Sequence, residues 1–323
     1  MTTPWTSLLA STTLSSPVPA TAVIPLPSLA VLMLTGPESM KFLQGQTTTD
    51  FREVEKGLVR RGAVCSLKGR VLFSFIAVPL DENVALVLPT DQLEAALSHL
   101  KKYAVFAKTQ LSDASATVAL ASIAGPDAKV RVTDLFGQVP ATEQVVRTAA
   151  GWAIRIGQEP RFLLGLSPEM LGARWPVLSA SAAAESLWWS AEIRAGLATV
   201  FAATRDRFQP QELNFHAIDA VSYNKGCYTG QEVVARLYFR GKLKQRLYVL
   251  EGKARELPEN AGVFAGDDHV GDIVMSARDG DTLRLLAVVK NTAARDSELT
   301  LGEHGDVLTV GSLPYALPTD KEE

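Results

Sequence analysis

Hydrophobic and polar residues follow one another in blocks that predict a mixture of strands and helices. Short apolar runs predict strands at 29–34, 71–78, 84–88, 117–123, 152–156 and 162–164. The polar turn at 81–83 joins two of these strands into a hairpin, and the last two strands form another. Leucines at helical spacing predict a helix over 91–102, with Asp91 as its cap.

Two further helices are indicated by local signals. Thr35 and Glu38 have the spacing of a capping box, which predicts a helix that Gly45 would end. The other helix is predicted over 182–195.

Beyond Arg246 the chain changes character. Short β-rich runs are separated by Gly, Asp and Asn turns, and no helix is predicted there, which is typical of a small β-barrel or sandwich. We therefore expect an α+β protein. Its predicted parts are a flexible tail at 1–20, a mixed α/β region at 21–240, a β-barrel at 241–317 and an acidic end at 318–323.

Composition narrows the class of protein. The formal net charge of −3 gives no global positive field that would attract nucleic acid or a membrane. The longest apolar run, 71–80, is interrupted by Ser74 and Pro79 and is shorter than the ~20 residues of a membrane helix. No basic residue precedes Lys41, so the start of the chain does not resemble a secretory leader. The two cysteines suit a reducing compartment, and we expect a cytoplasmic protein.

The chemically richest segment is Lys225-Gly226-Cys227-Tyr228-Thr229-Gly230-Gln231-Glu232. Its two glycines would let the backbone turn sharply or approach another group closely. Lys225 and nearby amides are suited to an anion, and the lysine charge would favour the thiolate of Cys227. Two interpretations of Cys227 stay open, a functional thiol and a small buried hydrophobe, whereas burial is favoured for Cys65.

Basic residues recur at every second position after this segment. The alternation contains Arg236, Tyr238, Arg240, Lys242, Lys244 and Arg246. On an extended segment these side chains would share one face, which would suit phosphates or carboxylates. The alternative is a solvated strand edge whose lysines discourage pairing with another edge.

Familiar catalytic and metal constellations are missing from the sequence. None of the four histidines pairs with a cysteine or another histidine at metal-ligand spacing. Phosphate-loop, dinucleotide-binding and nucleophile-elbow motifs are also missing. Because two cysteines cannot supply the four thiolates of a typical iron–sulfur cluster, we expect no tightly held metal.

The octapeptide resembles the signature of the YgfZ group of folate-binding proteins, which are relatives of the glycine-cleavage T-protein aminomethyltransferase. Other blocks resemble the family's motifs in the same order: Phe42-Leu43-Gln44-Gly45-Gln46-Thr47 with Asp50, Lys68-Gly69-Arg70, 100–106, Ala195-Gly196, Phe208-Gln209-Pro210-Gln211 with Asn214, Arg240-Gly241 and Leu313-Pro314-Tyr315. The resemblance covers nearly the whole chain, from about residue 29 to residue 317.

This resemblance implies a three-domain ring, with two interleaved α/β domains of ferredoxin-like type and a C-terminal β-barrel. It implies binding of tetrahydrofolate or a one-carbon derivative. It also implies partnership with iron–sulfur enzymes or cluster-assembly proteins, and a link to tRNA modification that is indirect, through a client enzyme.

Site residues follow from the same resemblance. Cys227 corresponds to the family's motif cysteine, and Leu29 stands where some relatives carry a tryptophan. The residues expected to bind the cofactor are Trp188, Leu29, Tyr228, Gln231, Glu232, Lys225, Gln44, Gln46 and Arg240. Trp188 and Tyr228 would cover a pterin ring, and the basic residues would hold its glutamate carboxylates. The alternatives are a core role for Trp188 and a pocket role for Trp189.

One departure from the T-protein pattern concerns activity. Aminomethyltransferases carry an acid on the strand after the motif matched by Lys68-Gly69-Arg70, and 71–75 contains no carboxylate. We therefore expect no glycine-cleavage activity. Three hypotheses remain: an accessory factor for iron–sulfur proteins that uses Cys227, a one-carbon transferase in which Glu232 or Asp50 replaces the missing acid, and a module that binds tRNA directly through 236–246. Oligomeric state is left open.

Overall fold

A computed structural model describes residues 4–157, 159–253, 257 and 261–317. The chain divides into two compact units. The first comprises Met1–Gln46, Asp50–Arg61 and Phe75–Glu185, and the second comprises Thr47–Thr49, Gly62–Ser74 and Ser186–Glu323. The chain therefore enters and leaves each unit more than once.

The elements up to residue 185 are mixed in type. The helices are α1 (Trp5–Ala10), α2 (Ser39–Gln46), α3 (Phe51–Glu55), α4 (Thr90–Tyr103), α5 (Ala128–Phe136) and α6 (Pro168–Leu178). The strands are β1 (Ala22–Pro25), β2 (Leu29–Thr35), β3 (Arg60–Cys65), β4 (Val71–Leu80), β5 (Asn83–Pro89), β6 (Gln110–Asp113), β7 (Ala119–Ala124), β8 (Val145–Thr148), β9 (Gly151–Arg155) and β10 (Arg161–Leu166). They form two five-stranded sheets, ordered β1-β7-β10-β9-β8 and β3-β4-β5-β2-β6.

Both predicted hairpins are present in these sheets. β4 pairs antiparallel with β5, and β9 pairs antiparallel with β10. The helix predicted over 91–102 is α4, although Pro89 is its N-cap and Asp91 lies within its first turn. The predicted capping box of Thr35 and Glu38 is wrong. Helix α2 begins only at Ser39, and the Glu38 carboxylate accepts a hydrogen bond from the Lys108 amide at 2.7 Å.

The start of the chain differs from the flexible tail that was predicted over 1–20. Trp5 in α1 is only 2% exposed, and its indole N–H donates to the Leu120 carbonyl at 2.9 Å. Its ring also meets Trp175 edge to face, with 5.0 Å between centroids. The large apolar surface of one tryptophan therefore fixes a short helix that has no strong local signal of its own.

The second unit contains α7 (Ser186–Arg194), α8 (Gln231–Arg240), α9 (Asn291–Asp296) and six strands. The strands are β11 (Gln245–Gly252), β12 (Gly262–Ala265), β13 (Asp268–Asp279), β14 (Thr282–Lys290), β15 (Leu299–Leu301) and β16 (Val307–Val310). They close into a barrel in the order β11-β14-β13-β12-β15-β16, around buried side chains that include Val263, Leu285 and Leu301.

The α+β class and the C-terminal barrel are thus confirmed. The expectation of no helix after Arg246 is wrong, because α9 connects β14 to β15. The predicted domain limits at 240/241 stay a prediction, and the acidic end at 318–323 lies outside the described residues. Within the described part of the chain, no helix has the length and apolar character needed to cross a bilayer.

Candidate functional site

The octapeptide forms the loop that leads into α8 in the second unit. Gly230 caps that helix with a positive φ of 82°. A side chain at this position would meet the Ser66 carbonyl oxygen, since a Cβ built on Gly230 would lie 2.4 Å from it. Gly69 has φ +70°, and a Cβ built on it would lie 2.8 Å from the Val233 side chain. The motif Lys68-Gly69-Arg70 and the octapeptide therefore pack together through two obligatory glycines.

Gly226 has no such role. A Cβ on Gly226 would find no heavy atom within 4 Å, and its φ is not positive. Of the two glycines that flank the thiol and phenol, only Gly230 is required by its surroundings.

Lys225 is buried, with 8% of its surface exposed. Its ammonium donates to the carbonyl oxygens of Thr47 and Thr49, at 2.7 and 2.5 Å. The same nitrogen lies 5.2 Å from the centroid of the Tyr228 ring. Thr48 between the two carbonyls is fixed as well, because its hydroxyl donates to the Ala220 carbonyl at 2.7 Å. Lys225 thus stabilises the loop through these hydrogen bonds. Anion binding, the role predicted for it, would use the same ammonium group differently.

The two cysteines have opposite environments. Cys227 is exposed, whereas Cys65 is fully buried. Burial, followed by the nearby charge of Asp206, raises the pKa of the Cys65 thiol to about 12. Since only a thiolate is a good nucleophile, Cys65 is an inert core residue and Cys227 is the chemically accessible thiol. The interpretation of Cys227 as a small buried hydrophobe is wrong, and the favoured burial of Cys65 is confirmed.

The two aromatic residues predicted to cover a pterin are both enclosed by protein. Tyr228 is 7% exposed and Trp188 only 1% exposed. Burial raises the pKa of the Tyr228 phenol above its ordinary value. Trp189, the alternative to Trp188, is half-buried and meets Phe201 edge to face at 5.2 Å between centroids. Trp188 therefore matches its core interpretation, and Trp189 keeps more accessible surface.

The segment after the octapeptide is helical, which corrects the extended stripe predicted for residues 236–246. Gln231 and Glu232 form the first turn of α8, and Arg240 is its last residue. A helix places Arg236 and Arg240 on one face and turns Tyr238 away from both, because side chains share a face at every third or fourth position. Of the remaining basic residues in the predicted stripe, Lys242 and Lys244 lie between α8 and β11, and Arg246 is in β11.

Leu29, Gln44 and Gln46 belong to the first unit, whereas the other predicted site residues belong to the second. Leu29 is the half-buried first residue of β2. Both ends of the Gln44 amide form hydrogen bonds: its oxygen accepts from the Phe51 amide at 2.6 Å, and its nitrogen donates to Asp50 at 3.2 Å. Gln46 differs, because its side-chain oxygen is buried and accepts no hydrogen bond from the described residues. A buried acceptor without a donor favours a missing partner.

A cavity of about 480 Å³ lies beside Gln44 in the first unit. Its size falls in the range of small-molecule sites. Most of its lining residues are charged, namely Lys41, Arg52, Glu55, Asp81 and Glu82, and the apolar ones are Pro37, Met40 and Phe51. The cavity is therefore suited to a small polar ligand more than to a pterin.

Three other side-chain amides share this feature with Gln46, and of these only Gln211 was expected from the sequence to contact the pterin ring. The side-chain oxygens of Gln209, Gln211 and Asn214 are buried and without a hydrogen-bond partner among the described residues. The signal was present in the sequence, as the motif Phe208-Gln209-Pro210-Gln211 with Asn214. Its polar residues are candidates for ligand recognition in the second unit.

Comparison with known proteins identifies the family. No protein-family model matches the chain. The tRNA-modifying protein YgfZ of Serratia proteamaculans is 32% identical over 329 aligned residues, which cover 95% of this chain and 96% of that protein. The proteins of the same name from Yersinia pseudotuberculosis and Pectobacterium atrosepticum are also 32% identical, over 95% and 92% of this chain and 96% and 92% of their own lengths.

Among solved structures, the glycine cleavage system aminomethyltransferase T from Bartonella henselae has the same fold. The TM-score is 0.74 at 18% sequence identity, over 92% of this chain and 86% of that one. This structural likeness and the full-length relatives agree with the resemblance noted from the motifs, and the chain belongs to the YgfZ family.

Proposed function

We propose that this protein binds tetrahydrofolate or a one-carbon derivative and acts in the cytoplasm as an accessory factor for iron–sulfur enzymes or cluster-assembly proteins. Its link to tRNA modification then runs through a client enzyme. Membership of a family whose members are named tRNA-modifying proteins supports the tRNA link. The fold shared with an aminomethyltransferase of the glycine cleavage system supports the proposal that a folate is bound.

The observation that carries the proposal is the exposed thiol of Cys227 on a loop fixed on both sides. Lys225 binds two carbonyls on one side, and Gly230 packs against the Ser66 carbonyl on the other. A loop fixed in this way presents the sulfur to solvent without losing its conformation. An exposed thiol is suited to redox exchange or to transient contact with a cluster held by another protein.

The described residues offer suitable partners for a folate. In the second unit, the buried Gln209 side-chain oxygen, which has no hydrogen-bond partner among the described residues, would accept from an N–H group of the pterin. Arg240, exposed at the end of α8, would pair with a carboxylate of the glutamate tail. When bound, the folate would supply a one-carbon unit on a ring nitrogen, and the protein would supply binding and orientation.

We further propose that the protein has no glycine-cleavage activity. The strand that carries the acid in aminomethyltransferases begins Val71-Leu72-Phe73-Ser74-Phe75 here. Ser74 is buried and its hydroxyl accepts from the Val200 amide at 2.9 Å. A serine engaged in this way is no substitute for a carboxyl group that must move a proton.

The alternative is a one-carbon transferase in which Asp50 or Glu232 replaces that acid. Asp50 is a poor candidate, because hydrogen bonds from Arg52 lower the pKa of its carboxyl to about 2 and keep it ionised. Glu232 is exposed in the first turn of α8 and remains the candidate acid. Loss of labelled carbon from methylene-tetrahydrofolate to an acceptor in cell extract, dependent on Glu232, would favour this alternative.

Complementation of a deletion strain tests the accessory function. Cys227→Ser should fold with an unchanged Tm, retain folate binding and fail to restore the activity of iron–sulfur enzymes. Cys65→Ala is the matched control, since it removes the other thiol, and any folded protein it yields should restore activity. Full restoration by Cys227→Ser would remove the thiol from the function.

A further inference from the structure

Three aromatic rings form a continuous patch, two of them in the last turn of α8. The rings of Tyr223 and Tyr238 are stacked, with 3.7 Å between centroids and 15° between planes. Phe239 meets Tyr238 edge to face at 5.0 Å. Tyr238 is 42% exposed and Phe239 is 56% exposed, so two neighbouring rings present their surfaces to solvent.

Hydrogen bonds of Gln211 fix the Tyr223 ring on which Tyr238 stacks. Tyr223 is half-buried, and its hydroxyl accepts a hydrogen bond from the Gln211 side chain at 3.0 Å. The same Gln211 nitrogen donates to the Val234 carbonyl in α8 at 2.6 Å. Tyr238 therefore rests on a fixed ring, and its orientation is set before any ligand arrives.

Four cations are close to these rings along the chain. Phe239, which contacts Tyr238, lies on the face of α8 that also contains Arg236 and Arg240, and Lys242 and Lys244 follow directly. All four are exposed, and within the described part of the chain none of them forms an ion pair with a carboxylate. Glu232 is the one acid on the same helical face. In a protein of net charge −3, this is a local concentration of unpaired positive charge.

We propose that this surface, made of Arg236, Tyr238, Phe239, Arg240, Lys242 and Lys244, binds a single-stranded segment of RNA. Unpaired bases would stack on Tyr238 and Phe239, and the four cations would neutralise the backbone phosphates. The inference goes beyond the proposed function, which requires no direct contact with RNA.

The composition of the surface selects this ligand over a protein or a membrane. Between 236 and 244 the exposed side chains are aromatic or basic, and the aliphatic Leu237 and Leu243 are half-buried. Lysine is depleted from protein interfaces, and a membrane-binding helix would expose a broad apolar face. Partly exposed rings beside exposed cations are the combination that single-stranded nucleic acids require.

Fluorescence anisotropy with a labelled, unstructured RNA of about 12 nucleotides tests the proposal, since sites for single strands span about 4–16 nucleotides. The full-length protein should bind this RNA more tightly than a duplex of the same sequence, with an affinity that falls as salt rises. Phe239→Ala should weaken binding about tenfold, as expected for the loss of one stacked base. Tyr238→Phe should bind normally because it keeps the ring, and Tyr238→Ala should not.

Charge reversal at Lys242 and Lys244 should weaken binding and reduce the salt dependence. Arg240 is left unchanged, because it is proposed to contact folate. The matched controls lie in the first unit, where Phe106 is 98% exposed and Lys101 and Lys102 are also exposed. Phe106→Ala and the double reversal Lys101→Glu, Lys102→Glu should leave RNA binding unchanged.

The proposal is overturned by an absence of RNA binding in the wild type, or by binding that Phe239→Ala leaves intact in protein with an unchanged Tm. Equal losses in the control variants would show non-specific attraction and would also overturn it. Binding of a polyglutamate peptide or of phosphatidylglycerol vesicles with the same dependence on Phe239 would assign the surface to an acidic protein or a membrane instead.

Discussion

The ammonium of Lys225 lies 2.7 Å from the carbonyl oxygen of Thr47, although 178 residues separate them in the chain. This contact joins the octapeptide to the end of the motif that begins at Phe42. It explains why a lysine stands at the start of the loop, since a buried ammonium with two carbonyl acceptors stabilises both segments at once.

Replacing Lys225 by methionine should destabilise the second unit. The substitution keeps most of the side-chain volume but leaves the carbonyls of Thr47 and Thr49 without this donor, at a cost of about 1–3 kcal/mol. Urea unfolding measures the change in the free energy of unfolding. Lys242→Met is the matched control, because Lys242 is exposed and its replacement should change stability by less than about 0.5 kcal/mol. Equal stability of the two variants would contradict the structural role of Lys225.

The two glycines of the octapeptide should respond differently to alanine. Gly230→Ala forces a Cβ to within 2.4 Å of the Ser66 carbonyl oxygen at a positive φ, and we expect a loss of about 1–3 kcal/mol or more. Gly226→Ala meets no atom within 4 Å and should be nearly neutral. Thermal unfolding of both variants measures the difference, and the reverse order of Tm values would refute the loop geometry.

The cysteines should react at very different rates with a thiol reagent. In native protein at neutral pH, Cys227 should be modified rapidly, and Cys65 should be modified only after unfolding, because it is buried and its thiol pKa is raised to about 12. Mass spectrometry after short exposure to maleimide identifies the modified residue. Modification of Cys65 in folded protein would contradict its placement.

The same pKa predicts weaker stability in alkali. Cys65 ionises near pH 9 in an unfolded chain but only near 12 in the folded protein. Its contribution is therefore fully present below pH 9 and is lost as the pH rises toward 12. The free energy of unfolding, measured from pH 8 to pH 11, should fall less steeply in Cys65→Ala than in wild type.

Trp5 should contribute strongly to the stability of the first unit. It is 2% exposed, and Trp5→Ala should cost about 3–5 kcal/mol through the cavity it leaves. Phe106→Ala, which removes a ring that is 98% exposed, should change stability by less than about 0.5 kcal/mol. Similar Tm values for the two variants would favour the flexible tail first predicted.

Strands and motifs were predictable because their signals are local. The apolar runs that became β4 and β5 and the turn residues between them lie within a few positions of one another. The barrel was likewise visible as short β-rich runs between turns. The octapeptide and Lys68-Gly69-Arg70 were found as separate motifs, but their packing through Gly230 and Gly69 needs tertiary structure.

The prediction of an extended basic stripe was wrong, because the alternating charges at 236–246 were given more weight than the helical spacing of the apolar residues in the same segment. Val233, Val234 and Leu237 have the spacing of one helical face, and Val234 is fully buried. That apolar face determines the conformation of α8, and the alternating cations follow from it. Gly45 was predicted to end α2, but it lies inside that helix. A Cβ built on it would have no atom within 4 Å, so nothing in its surroundings requires a glycine there.

The burial and the hydrogen bonds of Lys225 and Trp5 were not predictable from local sequence. Each side chain donates to a carbonyl more than a hundred positions away, Lys225 to Thr47 and Trp5 to Leu120. Short-range propensity contains no information about such partners.

Calorimetric titration of tetrahydrofolate tests the central claim most directly. The account predicts saturable binding at one site by the wild type, and binding about tenfold weaker in Gln209→Met and in Arg240→Ala, since each change removes one hydrogen-bonding or ionic partner. Lys101→Ala should bind like the wild type. A wild-type protein that is folded by its Tm and shows no binding of tetrahydrofolate or its one-carbon derivatives would contradict the account.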